Sequence, residues 1–422
     1  MNKKLGRFIK REDRCLIMCD KEKHRDKCSV ELADVFRLHG KAYCQKNVLT
    51  PERHKVINAI SNCRTGVLGG HVEQCDYCNS IHISYNSCRN RHCPKCQSLK
   101  TAKWLDDRRQ ELLPVSYFHV VFTLPHELNA LTLYNKRELY SLLLQAAWKT
   151  IKTLGQDPKR LNGLMGMLAV LHTWGQDLTV HNHVHCIVPG GALTLENKWK
   201  VSKSNYLFPV KVMAKIFKGI FISGLRDLYE KNRLKIPRDP DEKTSLNIQK
   251  NFDALLNNLM EKPWVVYAKE PFAGPKKLLD YLGRYVNKIA ISNNRILSCD
   301  EESVTFKWRD YADNNKIKIM KLKPEEFIRR FLRHVVPIGF MRVRFFGFLA
   351  NACKKQNIAV IRKLLSYEFN EMQKPGEKKD THVLMFELTG IDITLCPKCK
   401  KGHLHVIQTI QSKFAKTKFD TS

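Results

Sequence analysis

Apolar residues recur along the chain in two patterns. Short runs rich in β-branched and aromatic residues, at 116–124, 165–174 and 178–188, predict buried strands. Longer segments with apolar positions every three to four residues, at about 136–152 and 210–230, predict amphipathic helices. Strands and helices mix without the regular alternation of a doubly wound sheet, so the pattern favours the α+β class.

The second half of the chain continues this mixture. The stretch 232–260 contains Pro237 and Pro240 and a mixed charge pattern, which indicates a helical insertion. The sequence also predicts a helix at 275–290 and a basic helix near 324–335. Further strands are predicted at 264–268, 304–308 and 316–322.

The composition adds a strong positive charge. The 422 residues include 73 Lys and Arg against 41 Asp and Glu, a net charge of +32 that is spread along the chain. Such a field attracts polyanions, and nucleic acid is the first candidate; the alternative is a basic protein without such a partner. A hydrophobic fraction of 43% excludes global disorder.

Targeting signals are not evident in the sequence. No stretch approaches the ~20 apolar residues of a membrane span. The charged start has no apolar run behind it, so it is not a secretory signal. We therefore expect a cytoplasmic protein without a membrane partner, associated with the nucleoid if its polyanion is DNA.

Cysteine spacing predicts bound zinc. The 15 cysteines are an odd number in a chain without an export signal, so a disulfide framework is not expected. Two Cys-x2-Cys pairs lie in one short segment and predict a structural tetrathiolate zinc site. The predicted ligands are Cys75, Cys78, Cys93 and Cys96.

Two further zinc sites are open alternatives. The segment that holds the first site also contains Cys63, His71, Cys88 and His92, which could build a second, interleaved site or hold no metal. Near the C-terminus the spacing of a third group also suits zinc, the alternative being an unliganded loop. That group consists of Cys396, Cys399, His403 and His405.

Three histidines alternate along one predicted strand. Because a strand has a period of two, His181, His183 and His185 point to the same face. Three imidazoles in register form a preformed metal-binding face, although solvent-facing histidines on an edge strand would give the same pattern.

Two tyrosines share one face of the predicted helix at 275–290. Tyr281 and Tyr285 are four residues apart, and Lys288 lies three residues beyond, so all three lie on one helical stripe. A tyrosine pair of this spacing also occurs in ordinary packing.

Together these segments resemble a known family. The stretch 183–185 resembles the His-hydrophobic-His motif of HUH endonucleases, 281–288 resembles their tyrosine motif, and 122–125 (Phe-Thr-Leu-Pro) resembles the first motif of related replication initiators. The likeness is greater to rolling-circle transposases of bacterial insertion sequences, of the insertion-sequence-ninety-one type. It includes 172–176 and covers about 35–365.

The resemblance implies a fold and a reaction. The fold would be an antiparallel HUH nuclease sheet with flanking helices, ferredoxin-like or RRM-like, preceded by a small zinc-ribbon-like module. A tyrosine hydroxyl would attack a phosphodiester of single-stranded DNA, giving a 5′-phosphotyrosine and a free 3′-hydroxyl. Tyr285 would be the first nucleophile and Tyr281 the second, and Lys288 would stabilise developing charge.

The resemblance also implies Mg²⁺ or Mn²⁺ on the histidine face. His183 and His185 are two of its ligands, and the third remains open between His181, Gln176 and Asp177. Imidazole would by softness suit zinc, nickel or manganese better than magnesium, whereas open positions for phosphate and water suit a hard ion.

Arginines near these segments are candidates for DNA contacts. They are Arg89, Arg91, Arg284, Arg329, Arg330, Arg342 and Arg344. No Gly-x4-Gly-Lys-[Ser/Thr] motif is present in the sequence, so we expect no ATP as a partner.

Four segments follow from these assignments. They are an N-terminal helical segment (1–60), a zinc-binding DNA-docking module (61–113), a catalytic domain (114–365) and a C-terminal tail (366–422). Transposition is the favoured function. The alternatives are a replication initiator or relaxase with the same chemistry, and a non-catalytic zinc protein that binds nucleic acid.

Overall fold

The structure is a computed structural model. It describes residues 30–203, 206–237, 244–272, 275–285, 289–366 and 380–413.

Helices and strands alternate irregularly in the described residues. The α-helices are α1 Leu32–Lys46, α2 Pro51–Ser61, α3 Pro94–Arg109, α4 Asn129–Tyr134, α5 Lys136–Gln156, α6 Val210–Glu230, α7 Gln249–Glu261, α8 Pro275–Tyr285, α9 Pro324–Arg333, α10 Lys354–Leu364 and α11 Thr381–Thr389. The strands are β1 Gly70–Cys75, β2 Ile81–Tyr85, β3 Tyr117–Thr123, β4 Gly166–Trp174, β5 Val180–Pro189, β6 Gly191–Leu193, β7 Trp199–Val201, β8 Val266–Lys269, β9 Ile296–Cys299, β10 Val304–Asp310, β11 Lys316–Leu322, β12 Val343–Gly347 and β13 Leu404–Ile410.

A five-stranded sheet lies at the centre, in the order β12-β4-β5-β3-β8. Each neighbouring pair in it is antiparallel. The described chain is therefore a mixed α/β protein with antiparallel sheets.

One face of the central sheet packs against α5, α6 and α7. Val184, Cys186 and Val188 of β5 point to this face and are fully buried. Phe122 of β3 packs on Phe217 of α6, with ring centroids 4.9 Å apart. Each such buried side chain stabilises the fold by roughly 1.5–3 kcal/mol, and this core keeps the strands in register.

The opposite face divides into an apolar part and a polar part. Leu168 and Ile187 pack there against side chains of α8 and α10 and against Phe348. Because side chains alternate along a strand, His183 and His185 share this second face with Ile187. The helix with the tyrosines therefore lies on the histidine side of the sheet.

A three-stranded sheet joins the N-terminal and C-terminal parts of the described chain. Its order is β13-β1-β2, with β1 in the middle. The register of β1 with β13 runs from Gly70 opposite Ile410 to Cys75 opposite Leu404. The segment that the sequence indicates as a tail after residue 366 thus supplies a strand to this sheet.

A second three-stranded sheet has the order β11-β10-β9. It packs on α1 and α9 through a separate apolar core. Phe306 of this sheet lies 5.7 Å from Phe327 of α9, between ring centroids, and Phe331 of α9 lies 5.5 Å from Phe36 of α1.

The strands and helices predicted from the sequence lie close to the observed elements. Part of the predicted helix at 275–290 and the N-terminal residues 1–29 lie outside the described residues. The predicted insertion at 232–260 includes all but the last residue of α7. Within the described residues, no helix combines the length and apolar character that a bilayer crossing requires.

Candidate metal centres and the tyrosine helix

A tight hairpin turn sets the register between β4 and β5. The amide of Gly175 donates to the carbonyl of Thr179 at 2.9 Å, and the Asp177 carboxylate accepts from the Thr179 hydroxyl at 2.7 Å. Trp174 lies opposite Val180 next to this turn, and a register shift between Trp174 and His172 then places His172 of β4 directly opposite His183 of β5.

Three histidines meet on the polar part of the sheet. One ring nitrogen each from His172, His183 and His185 lies within 4.8 Å of the others. Nδ1 of His183 hydrogen-bonds the carbonyl of His181 at 2.8 Å. Because a carbonyl only accepts, that Nδ1 carries the proton, and the lone pair of His183 is on Nε2.

The spacing of the ring nitrogens suits one bound cation. Nε2 of His183 lies 3.1 Å from Nε2 of His185. Two nitrogens bound at about 2.1 Å to one ion and at right angles are about 3.0 Å apart. A cation between them would remove the repulsion between two lone pairs, so the donor set fits a divalent metal.

The three candidates for the third ligand have other environments in the structure. His181 is exposed at the start of β5 and lies outside the cluster, although it is on the same strand. Gln176 is in the hairpin turn, where its side-chain amide donates to the Tyr311 hydroxyl at 3.0 Å. Asp177 stabilises the turn. The third histidine is His172, which comes from the neighbouring strand.

Tyr281 of α8 contacts the rear of this histidine cluster. Its hydroxyl lies 2.6 Å from Nε2 of His119 and 3.0 Å from Nδ1 of His185. Nε2 of His119 lies 2.9 Å from the same Nδ1. Since Nε2 of His185 faces the cluster, Tyr281 and His119 hold the opposite edge of that ring.

His119 is a site residue that the sequence analysis missed. It lies on β3, 4% exposed, and its ring stacks on His185 with centroids 5.2 Å apart. Burial lowers the pKa of His119 to about 4, so the ring is neutral at pH 7. Its Nδ1 is buried without a hydrogen-bond partner among the described residues.

Other predicted site residues of this region lie at the limit of the described chain. Tyr285 is the last residue of α8, four residues after Tyr281. Lys288 and the side chains of Arg284 and Tyr285 lie outside the described residues.

Four cysteines form a first thiol cluster beside α3. They are Cys63, Cys88, Cys93 and Cys96. Their closest Sγ atoms are 3.6 Å apart. A disulfide requires ~2.05 Å, whereas four thiolates at about 2.3 Å around one zinc are about 3.8 Å apart. The first thiol cluster therefore fits tetrahedral zinc.

Four more cysteines form a second thiol cluster at the end of the β13-β1-β2 sheet. They are Cys75, Cys78, Cys396 and Cys399. Sγ of Cys75 lies 3.7 Å from Sγ of Cys399, and Sγ of Cys78 lies 3.7 Å from Sγ of Cys396.

The grouping predicted from the spacing is therefore wrong. The pair Cys75 and Cys78 does not share a cluster with Cys93 and Cys96, because β13 brings the C-terminal pair to the end of β1. Counting along the chain could not show this, since the distance in sequence between the two pairs exceeds 300 residues.

The histidines predicted as zinc ligands lie outside both thiol clusters. His71 is a residue of β1, and His92 is 7% exposed, with a pKa lowered by burial. His403 and His405 instead contact Asp76: the amide of the first donates to the carboxylate at 2.7 Å, and Nε2 of the second lies 3.3 Å from it.

The predicted DNA-contacting arginines have different environments. Arg342, a candidate for a DNA contact, is buried, with 8% of its surface exposed. Arg91 donates to the carbonyl of Phe340 at 2.6 Å. Arg344 is partly buried and donates to the Ser141 hydroxyl at 3.2 Å.

Two further arginines are ion-paired within the protein. Arg329 and Arg330 bind the same carboxylate, that of Glu326, at 2.5 and 2.7 Å. Arg89 is exposed.

Two family models match the chain. A family model described as "Putative transposase" matches residues 166–357, which include the histidine cluster and α8. A second model, described as "Transposase zinc-binding domain", matches residues 35–124, which include the first thiol cluster. No solved structure matches the chain.

Two curated relatives are similar over most of their length. The "Putative transposase y4qJ" of Sinorhizobium fredii is 44% identical over 383 residues, 90% of this chain and 95% of the relative. The "Transposase for insertion sequence element IS801" of Pseudomonas savastanoi pv. phaseolicola is 27% identical over 325 residues, 76% of this chain and 75% of the relative. The chain belongs to the transposases of the insertion-sequence-ninety-one type. It carries the zinc-binding domain of that family.

Proposed function

We propose that this transposase nicks and rejoins single-stranded DNA by HUH chemistry, through a 5′-phosphotyrosine intermediate, in rolling-circle transposition. The proposal depends mainly on one observation: three histidines on neighbouring strands gather their ring nitrogens within 4.8 Å, beside the helix with the tyrosines. The antiparallel sheet with helices on both faces supports an HUH nuclease fold.

His172, His183 and His185 are proposed to hold the divalent cation. When bound, such a cation polarises a phosphoryl oxygen and orients the phosphate for in-line attack. The family resemblance implies Mg²⁺ or Mn²⁺. Three imidazoles are softer than the oxygen ligands that Mg²⁺ prefers, so of the two ions the donor set favours Mn²⁺.

The two tyrosines are proposed to have different tasks. Tyr281 is 8% exposed, and its hydroxyl is engaged by His119 and His185, so it positions the ring of His185. Tyr285, four residues later on α8, is proposed as the nucleophile because the family motif continues from it to Lys288. Its oxygen forms a bond to phosphorus, the bond to the 3′ oxygen breaks, and that oxygen leaves as a hydroxyl after taking up a proton.

The outward face of the β11-β10-β9 sheet is proposed to bind the DNA strand. Lys307, Arg309 and Lys321 are exposed on it. The first two lie opposite Ile319 and Ile317, each 65% exposed. Alternating cations and apolar side chains suit phosphates and bases of a single strand.

This sheet lies beside the histidine cluster. The Gln176 side chain in the β4–β5 turn donates to the hydroxyl of Tyr311, which follows β10 and is 67% exposed. A strand that crosses the basic face would therefore pass close to the hairpin that carries His172. DNA is the proposed partner; the chemistry requires no ATP.

The test is an adduct assay. Purified protein is incubated with a labelled single-stranded oligonucleotide that carries the ends of the element, with Mn²⁺, with Mg²⁺ or with chelator. We expect a metal-dependent protein–DNA adduct that survives denaturation, and none on the matching duplex. Cleavage without any covalent adduct would contradict the phosphotyrosine mechanism.

A further inference from the structure

We infer that the zinc-binding domain of this transposase is discontinuous, and that one zinc ion held by Cys75, Cys78, Cys396 and Cys399 joins the two ends of the chain. The family match for zinc binding ends at residue 124, so the C-terminal pair lies outside it. Contacting thiols of the two pairs are 318 and 324 residues apart in sequence. Their Sγ atoms are 3.7 Å apart, near the ~3.8 Å edge of a zinc tetrathiolate.

The two Cys-x2-Cys segments form the same kind of turn. In the first, the amide of Cys75 donates to the carbonyl of Ser80 at 3.0 Å. In the second, the amide of Cys396 donates to the carbonyl of Gly402 at 2.8 Å. In each segment, therefore, a backbone hydrogen bond from the first cysteine closes the turn.

Both turns also share an unusual backbone conformation. Asn79 and Lys400, each four residues after the first cysteine of its pair, have positive φ angles of 53° and 56°. The amide of each donates to the carbonyl of that first cysteine, at 3.1 and 2.9 Å. Two separate segments thus share the conformation of their first five residues and face each other, as the two halves of a tetrathiolate site do.

Backbone amides point at the sulfur atoms in both turns. The amide of Cys78 donates to Sγ of Cys75 at 3.5 Å, and the amide of Gly402 donates to Sγ of Cys399 at 3.4 Å. Donors of this kind stabilise thiolates, which are the form that binds metal. The sulfur atoms therefore have the surroundings of ligands.

The sheet continues from this second thiol cluster. Cys75 is the last residue of β1 and lies opposite Leu404, the first residue of β13. Gly402 completes the close approach: a Cβ there would lie 2.7 Å from Sγ of Cys75 and 2.5 Å from Cβ of Tyr77. Only a residue without a side chain leaves the two turns in contact.

A local C-terminal site is disfavoured by the positions of its histidines. His403 donates its amide to Asp76, and its ring contacts the Thr394 hydroxyl at 3.1 Å. Nε2 of His405 lies beside the same carboxylate. These contacts tie β13 to the turn after β1 and leave the metal site to the cysteines.

Zinc stoichiometry of the full chain tests the inference, and it does so independently of DNA cleavage. We expect two zinc ions per chain: one at the first thiol cluster and one at the second. One double variant carries Cys75→Ser and Cys78→Ser, and it should lose one ion. The other carries Cys396→Ser and Cys399→Ser, and it should lose the same ion. The fourfold variant, which carries all four substitutions, should still bind one ion. The control is the double variant with His403→Ala and His405→Ala, which should still bind two zinc ions.

Separate sites give a different result. If the N-terminal and C-terminal pairs served different ions, the fourfold variant would lose two ions, whereas a shared site loses one; the loss of two ions by a folded variant would overturn the inference. The substitution Gly402→Ala, which changes no ligand, should release one ion to a chelator faster than the wild type does.

Differential alkylation of the wild type covers the case in which variants do not fold. The protein is treated with increasing chelator and a thiol reagent, and modified cysteines are mapped by mass spectrometry. We expect Cys75, Cys78, Cys396 and Cys399 to become reactive together as one ion is lost. Reaction of Cys396 and Cys399 while both ions remain bound would contradict the shared site.

Discussion

The hydroxyl of Tyr281 lies 2.6 Å from Nε2 of His119, although the two residues are 162 positions apart in the chain. The ring of His119 is neutral, so one of its nitrogens is a donor and the other is an acceptor. Its Nε2 therefore either donates to the tyrosine hydroxyl or accepts from it. With Nε2 of His185 directed at the proposed cation, Nδ1 of His185 would be a donor, so the tyrosine proton would be directed at His119. This arrangement would make the helix with the tyrosines a support for the proposed metal ligands.

The first prediction separates the two tyrosines. Tyr285→Phe should abolish the covalent DNA adduct, because the nucleophilic oxygen is gone. Tyr281→Phe should keep a detectable adduct but reduce its rate by about 10–100-fold, as loss of an outer partner of a metal ligand does. A denaturing gel of the adduct against time measures both rates. Equal abolition by both substitutions would show that Tyr281 also reacts.

The second prediction concerns the third metal ligand. His172→Ala should weaken Mn²⁺ binding and abolish nicking, because one of three ligands is lost. His181→Ala is the matched control on the same face of the sheet, and it should change both by less than about threefold, since His181 is exposed and lies outside the cluster. Calorimetry with Mn²⁺ gives the affinities. A larger effect at His181 than at His172 would reverse the assignment.

The third prediction assigns a positioning role to His119. His119→Leu should reduce Mn²⁺ affinity and the nicking rate together, by about 10–100-fold, because the acceptor for Tyr281 and the stacking partner of His185 are removed. His119→Gln retains an acceptor and should restore part of both. Unchanged Mn²⁺ affinity in the leucine variant would exclude a role through His185.

The fourth prediction tests the basic sheet face. Replacing Lys307, Arg309 and Lys321 with glutamine should weaken single-stranded DNA binding and lower the slope of log K against log salt by about 2. The control is a glutamine triple at Lys149, Lys152 and Lys215, which are exposed on α5 and α6 across the central sheet. Fluorescence anisotropy at several salt concentrations measures the slopes. Equal slope changes in the two variants would mean that only net charge matters.

The fifth prediction is a pH dependence of stability. Burial lowers the pKa of His334 to about 4, below the ~6.5 of an unfolded chain. As the pH falls from 6.5 towards 4 the unfolded chain takes up a proton that the folded chain does not, so stability decreases and the loss is complete below pH 4. The loss attributable to His334 is about 3 kcal/mol. Urea unfolding of wild type and His334→Gln should therefore converge as the pH falls; parallel curves would contradict the shift.

The sequence predicted local features better than those that depend on pairing between strands. The central strands and the helix with the tyrosines followed from apolar periodicity, and His183 and His185 followed from alternation along one strand. His172 was missed because a hairpin register depends on how the turn at Gly175 to Thr179 closes. Counting back from that turn would have placed Asn182 opposite His172, because the register shift between His172 and Trp174 cannot be read from the spacing.

The cysteines show the same limit at longer range. Each Cys-x2-Cys turn was recognisable from its spacing, but the assignment of pairs to clusters depends on β13 reaching β1. The prediction grouped the cysteine pairs that are nearest in sequence, whereas the fold brings together pairs that are distant in sequence. His119 gave no signal of its own, since a lone histidine in an apolar strand is ordinarily a core residue.

The central position of β1 between β2 and β13 has a consequence for synthesis of the protein. A ribosome releases β1 and β2 early, but the partner on the other edge of β1 is translated more than 300 residues later. Until then one edge of β1 stays without its strand, and a copy of the gene interrupted by a premature stop codon or frameshift would never supply it. Completion of this sheet thus requires that translation has passed β13.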